Sequence, residues 1–367
     1  MSGAKINIIR KSEIAAWINS VAFSLHKTIP ISKLRAESYL HNPHAAEDDA
    51  LVFLIFKEKQ IIAFRTVFPD LLYAKDGRTV KFAWLSGNWV HPDHRRRGLS
   101  TILLNEVKKH WKGLLMYTNY APSSKKLYDK TGEFEPVAQF SGIRYFTKEG
   151  LQERIHSRWL FLKKLPFVSE LLATTLNAIH SSKKEKKVKP ASQIELSPSG
   201  LYELEGFIQN KAESSLRRNK SDFEWILNYP WADQSDEAKG DASRYPFSCW
   251  SQDFFSKPLL IQTEKVNSSP PIIWPVIKNG DLKLTYCNYI EDQLPLIVQA
   301  LLMLIKNQEL RTLTIWDKKI NAELQKQKYP FVFFKKQNQL VYAHKSLMRS
   351  INEGLKLDFG DGDVVFV

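Results

Sequence analysis

Cysteine is nearly absent: Cys249 and Cys287 are the only two in 367 residues. Two are too few for a disulfide framework, and neither has metal-ligand spacing. Both are read as core residues of a reducing compartment, and no metal is expected. No apolar run is long enough to span a bilayer, and no secretory leader opens the chain. Cytoplasmic residence is the resulting expectation. Helix-turn-helix, zinc and RNA-binding signatures are also missing. That absence matters because the net charge is +14, which calls for an anionic partner of some kind. The lysines and arginines are scattered through every segment and form no repeated face, which argues against nucleic acid.

What is present suits an ordinary folded protein. The chain is 43% hydrophobic and 12% aromatic, enough for two cores, and its length suits two domains.

The most informative stretch is Val90-His91-Pro92-Asp93-His94-Arg95-Arg96-Arg97-Gly98-Leu99-Ser100. It reads as a strand end, a basic turn and a helix start. Phe82, Trp84 and Leu85 give strand character to Lys81–Val90. Leu99, Ile102, Leu103, Glu106 and Val107 recur at helical spacing over about Gly98–Lys112. A loop feeding a helix N-terminus offers amides that the helix cannot satisfy, and the helix dipole adds positive potential there. Gly98 removes a Cβ where a ligand would approach, with Ser100 and Thr101 small beside it. Arg95, Arg96 and Arg97 attract an anion and can fork onto phosphate oxygens. The plain alternative is a solvated basic turn.

A second element lies downstream. Leu114–Thr118 is a plausible strand, Ser123 or Ser124 caps a helix reaching about Thr131, and Gly132 ends it. Within it stands Leu127-Tyr128-x-Lys130-x-Gly132.

Arg95-x-x-Gly98-x-Ser100 resembles motif A of the GCN5-related N-acetyltransferase superfamily, and the Tyr128 segment resembles its motif B. Ser100 departs from the usual Gly or Ala, Glu133 interrupts the usual Gly-Phe, and Asn119 lies two positions early. The resemblance implies a coenzyme A pyrophosphate held by the loop, Arg95 to Thr101. It implies a strand edge at Asn88, Trp89 and Val90 for the pantetheine arm, with Asn119 also on the donor. Tyr128 would return a proton to the leaving thiolate, a role that suits a phenol. A half-buried helix tyrosine is the alternative for Tyr128.

The rest of the first half agrees with that fold, an α/β (α+β) arrangement with a mixed, mostly antiparallel sheet flanked by helices. Ile6–Arg10 reads as a strand, and helices follow near Ser12–Ser24 and Ser32–Leu40. Ala50–Lys57 and Gln60–Phe68 form a hairpin around Glu58-Lys59, and Val137–Phe146 supplies the closing strands. The expected domains are 1–150, a basic helical linker over 151–191, and 192–367. In the second half, helices are read at Leu201–Lys211, Ser221–Leu227, Gln293–Lys306 and Lys319–Lys328. Strands are read at Phe247–Trp250, Pro258–Thr263, Ile272–Ile277, Leu282–Asn288, Thr312–Trp316, Phe331–Phe334, Gln339–Ala343 and Val364–Val367. This order mirrors the first domain, but the equivalent loop reads Asn288-Tyr289-Ile290-Glu291-Asp292-Gln293. It has no glycine or arginine, and its two carboxylates repel a pyrophosphate. The expectation is a tandem fold whose second copy has lost the donor site and helps to form the acceptor cleft.

Three segments carry competing readings. The apolar and basic linker over 158–189 could lie on an anionic membrane surface, although a helical linker followed by a solvated tether is the preferred reading. Arg217 to Trp231 resembles a segment of bacterial two-domain acetyltransferases found among polysaccharide-modifying enzymes. It could hold an amino sugar or sugar nucleotide, or form a helix cap and core. Asp358–Asp363 lacks the spacing of a calcium loop and is read as a glycine turn.

The chain is thus expected to be an acyl-CoA-dependent N-acyltransferase, most simply moving acetyl from acetyl-CoA to an amine by direct attack. The alternatives are a non-catalytic acyl-CoA-binding protein and an aminoacyl or fatty-acyl transferase on the same fold. Ser86 and Asn88 could position a water; no general base is evident.

Overall fold

The computed structural model describes residues 6–118, 122–151, 194–199, 214–263, 269–327, 330–351 and 354–366. Asn119, the helix expected over Leu201–Lys211 and nearly all of the basic linker lie outside the described residues. In chain order the elements are β1 (Ile6–Arg10), α1 (Lys11–Ile18), α2 (Val21–Ser24), α3 (Lys33–Leu40), β2 (Ala50–Lys57), β3 (Gln60–Tyr73), β4 (Thr79–Val90), α4 (Leu99–His110), β5 (Leu115–Thr118), α5 (Pro122–Asp129) and β6 (Phe134–Phe146). There follow β7 (Ile194–Pro198), α6 (Lys220–Asn228), α7 (Asp236–Ala242), β8 (Phe255–Ser256), β9 (Leu259–Thr263), β10 (Ile272–Lys278), β11 (Asp281–Asn288), α8 (Leu294–Asn307), β12 (Thr312–Ile315), α9 (Lys318–Gln325), β13 (Phe333–His344) and α10 (Lys345–Ile351).

The fold is mixed α/β, with mostly antiparallel strands flanked by helices. Contacts divide it into two compact units made of alternating stretches of chain. The first is Met1–Phe140, Leu201–Ser256 and Gln339–Val367; the second is Ser141–Gly200 and Lys257–Asn338. This division differs from two domains in series, and the closing strands show why.

In the first unit the strand order is β1-β2-β3-β4-β5-β13. Neighbours are antiparallel except β4 and β5, which are parallel. The strand beside β5 comes from far along the chain: Val341, Tyr342 and Ala343 of β13 pair with Thr118, Tyr117 and Met116. The Val137–Phe146 stretch, expected to close the first domain, instead forms β6, whose Ile143–Phe146 portion pairs with β12 in the second unit. A local apolar pattern marks a strand but does not name its partner.

The sheet of the first unit is built on β2, whose residues Ala50 to Ile55 are all buried, a pattern suited to a strand covered on both faces. The two-residue turn to β3 places Glu58 at φ +57°, the left-handed conformation that a tight hairpin demands. The helix expected over Ser12–Ser24 is two helices, because Ser20 stops the first and caps the second by accepting from the Phe23 amide at 3.1 Å.

Residues 217–231 serve this unit's interior. Arg218 forks onto Asp70 with both contacts at 2.8 Å, and the Trp225 and Trp231 indoles donate to Ser38. Their polar atoms therefore point into the fold, the cap-and-core arrangement. Phe247–Trp250 is not a strand; Trp250 makes an isolated bridge to Asp233. The strand expected at Val364–Val367 is a 3-10 turn, Gly362–Phe366. Burial explains it, since the Phe366 ring stacks on Trp231 with centroids 4.8 Å apart.

In the second unit the order is β7-β9-β10-β11-β12-β6. Again the neighbours are antiparallel except for one parallel pair, β11 with β12. The two strands expected at Phe331–Phe334 and Gln339–Ala343 are one continuous strand, β13. Among the described residues, no helix is long and apolar enough to cross a membrane.

Candidate active site

The loop between β4 and α4 is held open by its backbone. Arg95 Nε donates to the Val90 carbonyl at 3.2 Å, and the His91 amide donates to Ile62 at 2.8 Å. These contacts tie the loop's start to the sheet. Arg96 and Gly98 then take positive φ, +63° and +78°. Gly98 is the N-cap of α4, and no side chain caps the helix. The Thr101 amide bonds back to the Gly98 carbonyl at 3.0 Å, while the Leu99 and Ser100 amides ahead of it have no intrahelical acceptor and no capping oxygen. A Cβ on Gly98 would meet nothing within 4 Å, so nothing crowds the glycine itself. Arg95, Arg96, Arg97 and Thr101 are exposed around it, and Leu99 is buried and anchors the helix. Open amides, a helix dipole and three guanidinium groups suit a pyrophosphate.

Behind the loop, β4 has a bare edge. It pairs with β5 only at Ala83 and Trp84, which leaves Leu85 to Val90 without a strand partner on that side among the described residues. An extended polyamide can hydrogen-bond to such an edge. On the other side a bulge interrupts the ladder with β3: Leu85 faces Val67 and Asn88 faces Arg65, so two residues, Ser86 and Gly87, oppose Thr66. Gly87 has φ +110°, and a Cβ there would lie 2.5 Å from Thr66 Oγ1, so the bulge requires glycine. Asn88 Nδ2 donates to Ser100 Oγ at 3.4 Å, linking the edge to the loop. Trp89 turns to the other face and stacks on Phe64, with centroids 5.5 Å apart.

Tyr128 is 4% exposed, more enclosed than a half-buried helix residue. Arg65 Nη1 donates to its phenolic oxygen at 2.8 Å. With the guanidinium as donor, the phenol's own proton is free for another acceptor. The Tyr117 ring lies 3.9 Å from that of Tyr128, centroid to centroid, and burial pushes the Tyr117 phenol well above its usual range. The structure thus brings Ser100, Asn88, Arg65 and Tyr128 into one chain of contacts.

A second group gathers at the bulge. Ser86 Oγ donates to Asp363 Oδ2 at 2.8 Å. The Ser86 carbonyl accepts from Thr66 Oγ1 and from Arg35. Arg35 also donates to the hydroxyls of Tyr39 and Tyr245, at 3.1 and 3.0 Å, and lies 4.0 Å above the Trp231 ring. Burial opposes its charge, but the two tyrosines outweigh burial and hold Arg35 above its ordinary range. This buried hub fixes the carbonyl at the bulge and hence the position of Ser86 and its carboxylate neighbour.

Sequence reasoning missed Arg65, Arg35 and Asp363. Arg65 left a signal, a lone charge inside the apolar run Ile61–Phe68. Asp363 was visible only as part of a turn, and Arg35 lies in an unremarkable amphipathic stretch, so neither could be assigned from pattern.

Residues 5–137 match the acetyltransferase (GNAT) domain family. The chain is similar to the solved structure of a GCN5-related N-acetyltransferase from Kribbella flavida, with 12% identity over 92% of this chain and 70% of that one, at a TM-score of 0.43. It is similar also to a GCN5-related N-acetyltransferase from Anabaena variabilis, with 12% identity over 92% and 72% of the two chains, again at 0.43. No curated protein matches. The family match covers residues 5–137, the stretch that holds the β4–α4 loop and Tyr128.

Proposed function

We propose that the protein transfers an acyl group, most simply acetyl, from an acyl-coenzyme A to an amine. The observation that carries this reading is the uncapped start of α4 at Gly98, set at the end of the bare β4 edge. The loop amides and Arg95–Arg97 would hold the pyrophosphate, and the edge from Asn88 to Val90 the pantetheine arm. The amine nitrogen attacks the thioester carbon, a C–N bond forms, and the C–S bond breaks. Tyr128, held by Arg65 through its oxygen, gives its proton to the departing sulfur. Asp363, joined to Ser86 at the bulge, draws in the ammonium acceptor and takes the proton it must lose before attack. Much of the acceleration comes from orientation, which the rigid bulge supplies.

The test is thiol release on mixing the protein and acetyl-CoA with amino sugars, polyamines and peptides. An acceptor-dependent signal is expected. Tyr128→Phe and Asp363→Asn should each lower kcat by about 100-fold or more, the usual range for a lost acid or base. Coenzyme A binding without thiol release from any amine, and unaltered by Tyr128→Phe, would leave a binding protein in place of an enzyme.

A further inference from the structure

Three arginines are buried in the first unit: Arg35, Arg65 and Arg218. Two have their charge well accommodated. Arg218 forks onto the Asp70 carboxylate, and Arg35 is ringed by three hydroxyls and a carbonyl. Arg65 differs. It is 1% exposed, and its one hydrogen bond is from Nη1 to Tyr128. Among the described residues its Nε and Nη2 have no partner, and neither do the neighbouring Asn88 Oδ1 and Tyr117 Oη. No carboxylate among the described residues pairs with it.

A buried cation with no counter-charge is costly, and so is each orphaned donor. Nε and Nη2 are the two donors along one side of the guanidinium plane. That edge matches the two oxygens of a carboxylate, bound side by side. A thiolate or an amide carbonyl presents a single acceptor and would leave half of the fork empty. Arg65 stands across the ladder from Asn88 and against Tyr128, the two groups assigned above to the pantetheine edge and the sulfur. An anion reaching Arg65 from the donor would therefore belong to the acyl end.

We propose that the donor site is built for a dicarboxylic acyl thioester, whose free carboxylate docks on the Nε and Nη2 edge of Arg65. The inference rests on the coenzyme A reading above. Tyr117, kept protonated by burial, can donate to the same carboxylate. The transfer itself is unchanged: the amine displaces the thiol at the thioester carbon, and the remote carboxylate passes intact into the amide product.

The test is calorimetric titration of the full-length protein with coenzyme A, butyryl-CoA and succinyl-CoA, the last two matched in length and differing in the terminal carboxylate. Succinyl-CoA should bind about tenfold or more tightly than butyryl-CoA, as expected for a charge-assisted fork. Arg65→Met should erase that preference and Arg65→Lys should reduce it, while binding of coenzyme A itself reports whether each variant is folded. The wild-type comparison decides the matter even if neither variant folds. Equal affinity for the two thioesters overturns the proposal and leaves the coenzyme A reading standing, as does a preference that survives Arg65→Met. If coenzyme A and its thioesters all fail to bind, both readings fall.

Discussion

The two units share a strand plan and differ at one loop. Each has six strands in which the fourth and fifth run parallel and every other neighbouring pair runs antiparallel. Each then passes from its fourth strand into a helix, α4 in the first unit and α8 in the second. At α4 the loop is basic, its helix begins at an uncapped glycine, and nothing crowds that glycine. At α8 no side chain caps the helix either, but the loop ahead of it is acidic and its polar groups are engaged with one another. Gln293 Oε1 accepts from the Ile290 amide at 3.1 Å, and Tyr289 donates to Asp317 at 3.0 Å. Pro295 in the first turn has no amide to offer, and Glu291 pairs with Lys319. The lesson is that a helix start becomes an anion site through what is withheld from it: prolines and acids.

This contrast can be broken most severely by moving the second loop's charge into the first. Arg96→Glu with Arg97→Glu should weaken coenzyme A binding by about 100-fold, or roughly 3 kcal/mol, since attraction is replaced by repulsion; calorimetry reads it directly. Gly98→Ala is milder. Its Cβ meets no atom, so the penalty is the left-handed backbone alone, about 1–2 kcal/mol, and affinity should fall by about tenfold.

Acid stability is a smaller effect that probes the first unit. Burial pushes the Asp222 carboxyl up, but the His44 hydrogen bond and the Arg218 charge outweigh it and hold the group below its usual value. A carboxylate depressed in the folded state adds stability above its unfolded value, about pH 4, and loses it as pH falls through the folded one. Acid titration followed by tryptophan fluorescence should therefore show a transition below about pH 4 that Asp222→Asn flattens. The smallest effect is expected in the second unit. Glu291→Gln with Asp292→Asn should leave coenzyme A stoichiometry at a single site per chain, because Pro295 still removes an amide from the α8 start and the loop still has no arginine or glycine. A second binding event would break the comparison.

Much of the proposed donor site could be read from sequence because it is local. Strand, basic turn, glycine and helix follow one another within about twenty residues, and each has its own chemical signature. Tyr128 was legible too, through its place before Lys130 and Gly132. The acceptor side was not. Asp363 meets Ser86 across nearly the whole chain, and Arg35 reaches Tyr245 and the bulge from a different element again. No periodicity encodes such meetings. The same limit hid the strand exchange, in which β13 completes the first sheet and β6 the second.

The sequence by itself determined where most of the strands and helices lie, that one loop is basic and glycine-bearing, and that its counterpart is acidic. These are properties of neighbouring residues, decided by side-chain pattern and backbone freedom. Only the tertiary structure decided which strand closes each sheet, that Arg65 is buried against Tyr128 with Nε and Nη2 unpartnered among the described residues, and that a carboxylate stands at the β4 bulge. Those follow from packing between distant segments, where burial turns an ordinary arginine or aspartate into a charge that must find a partner.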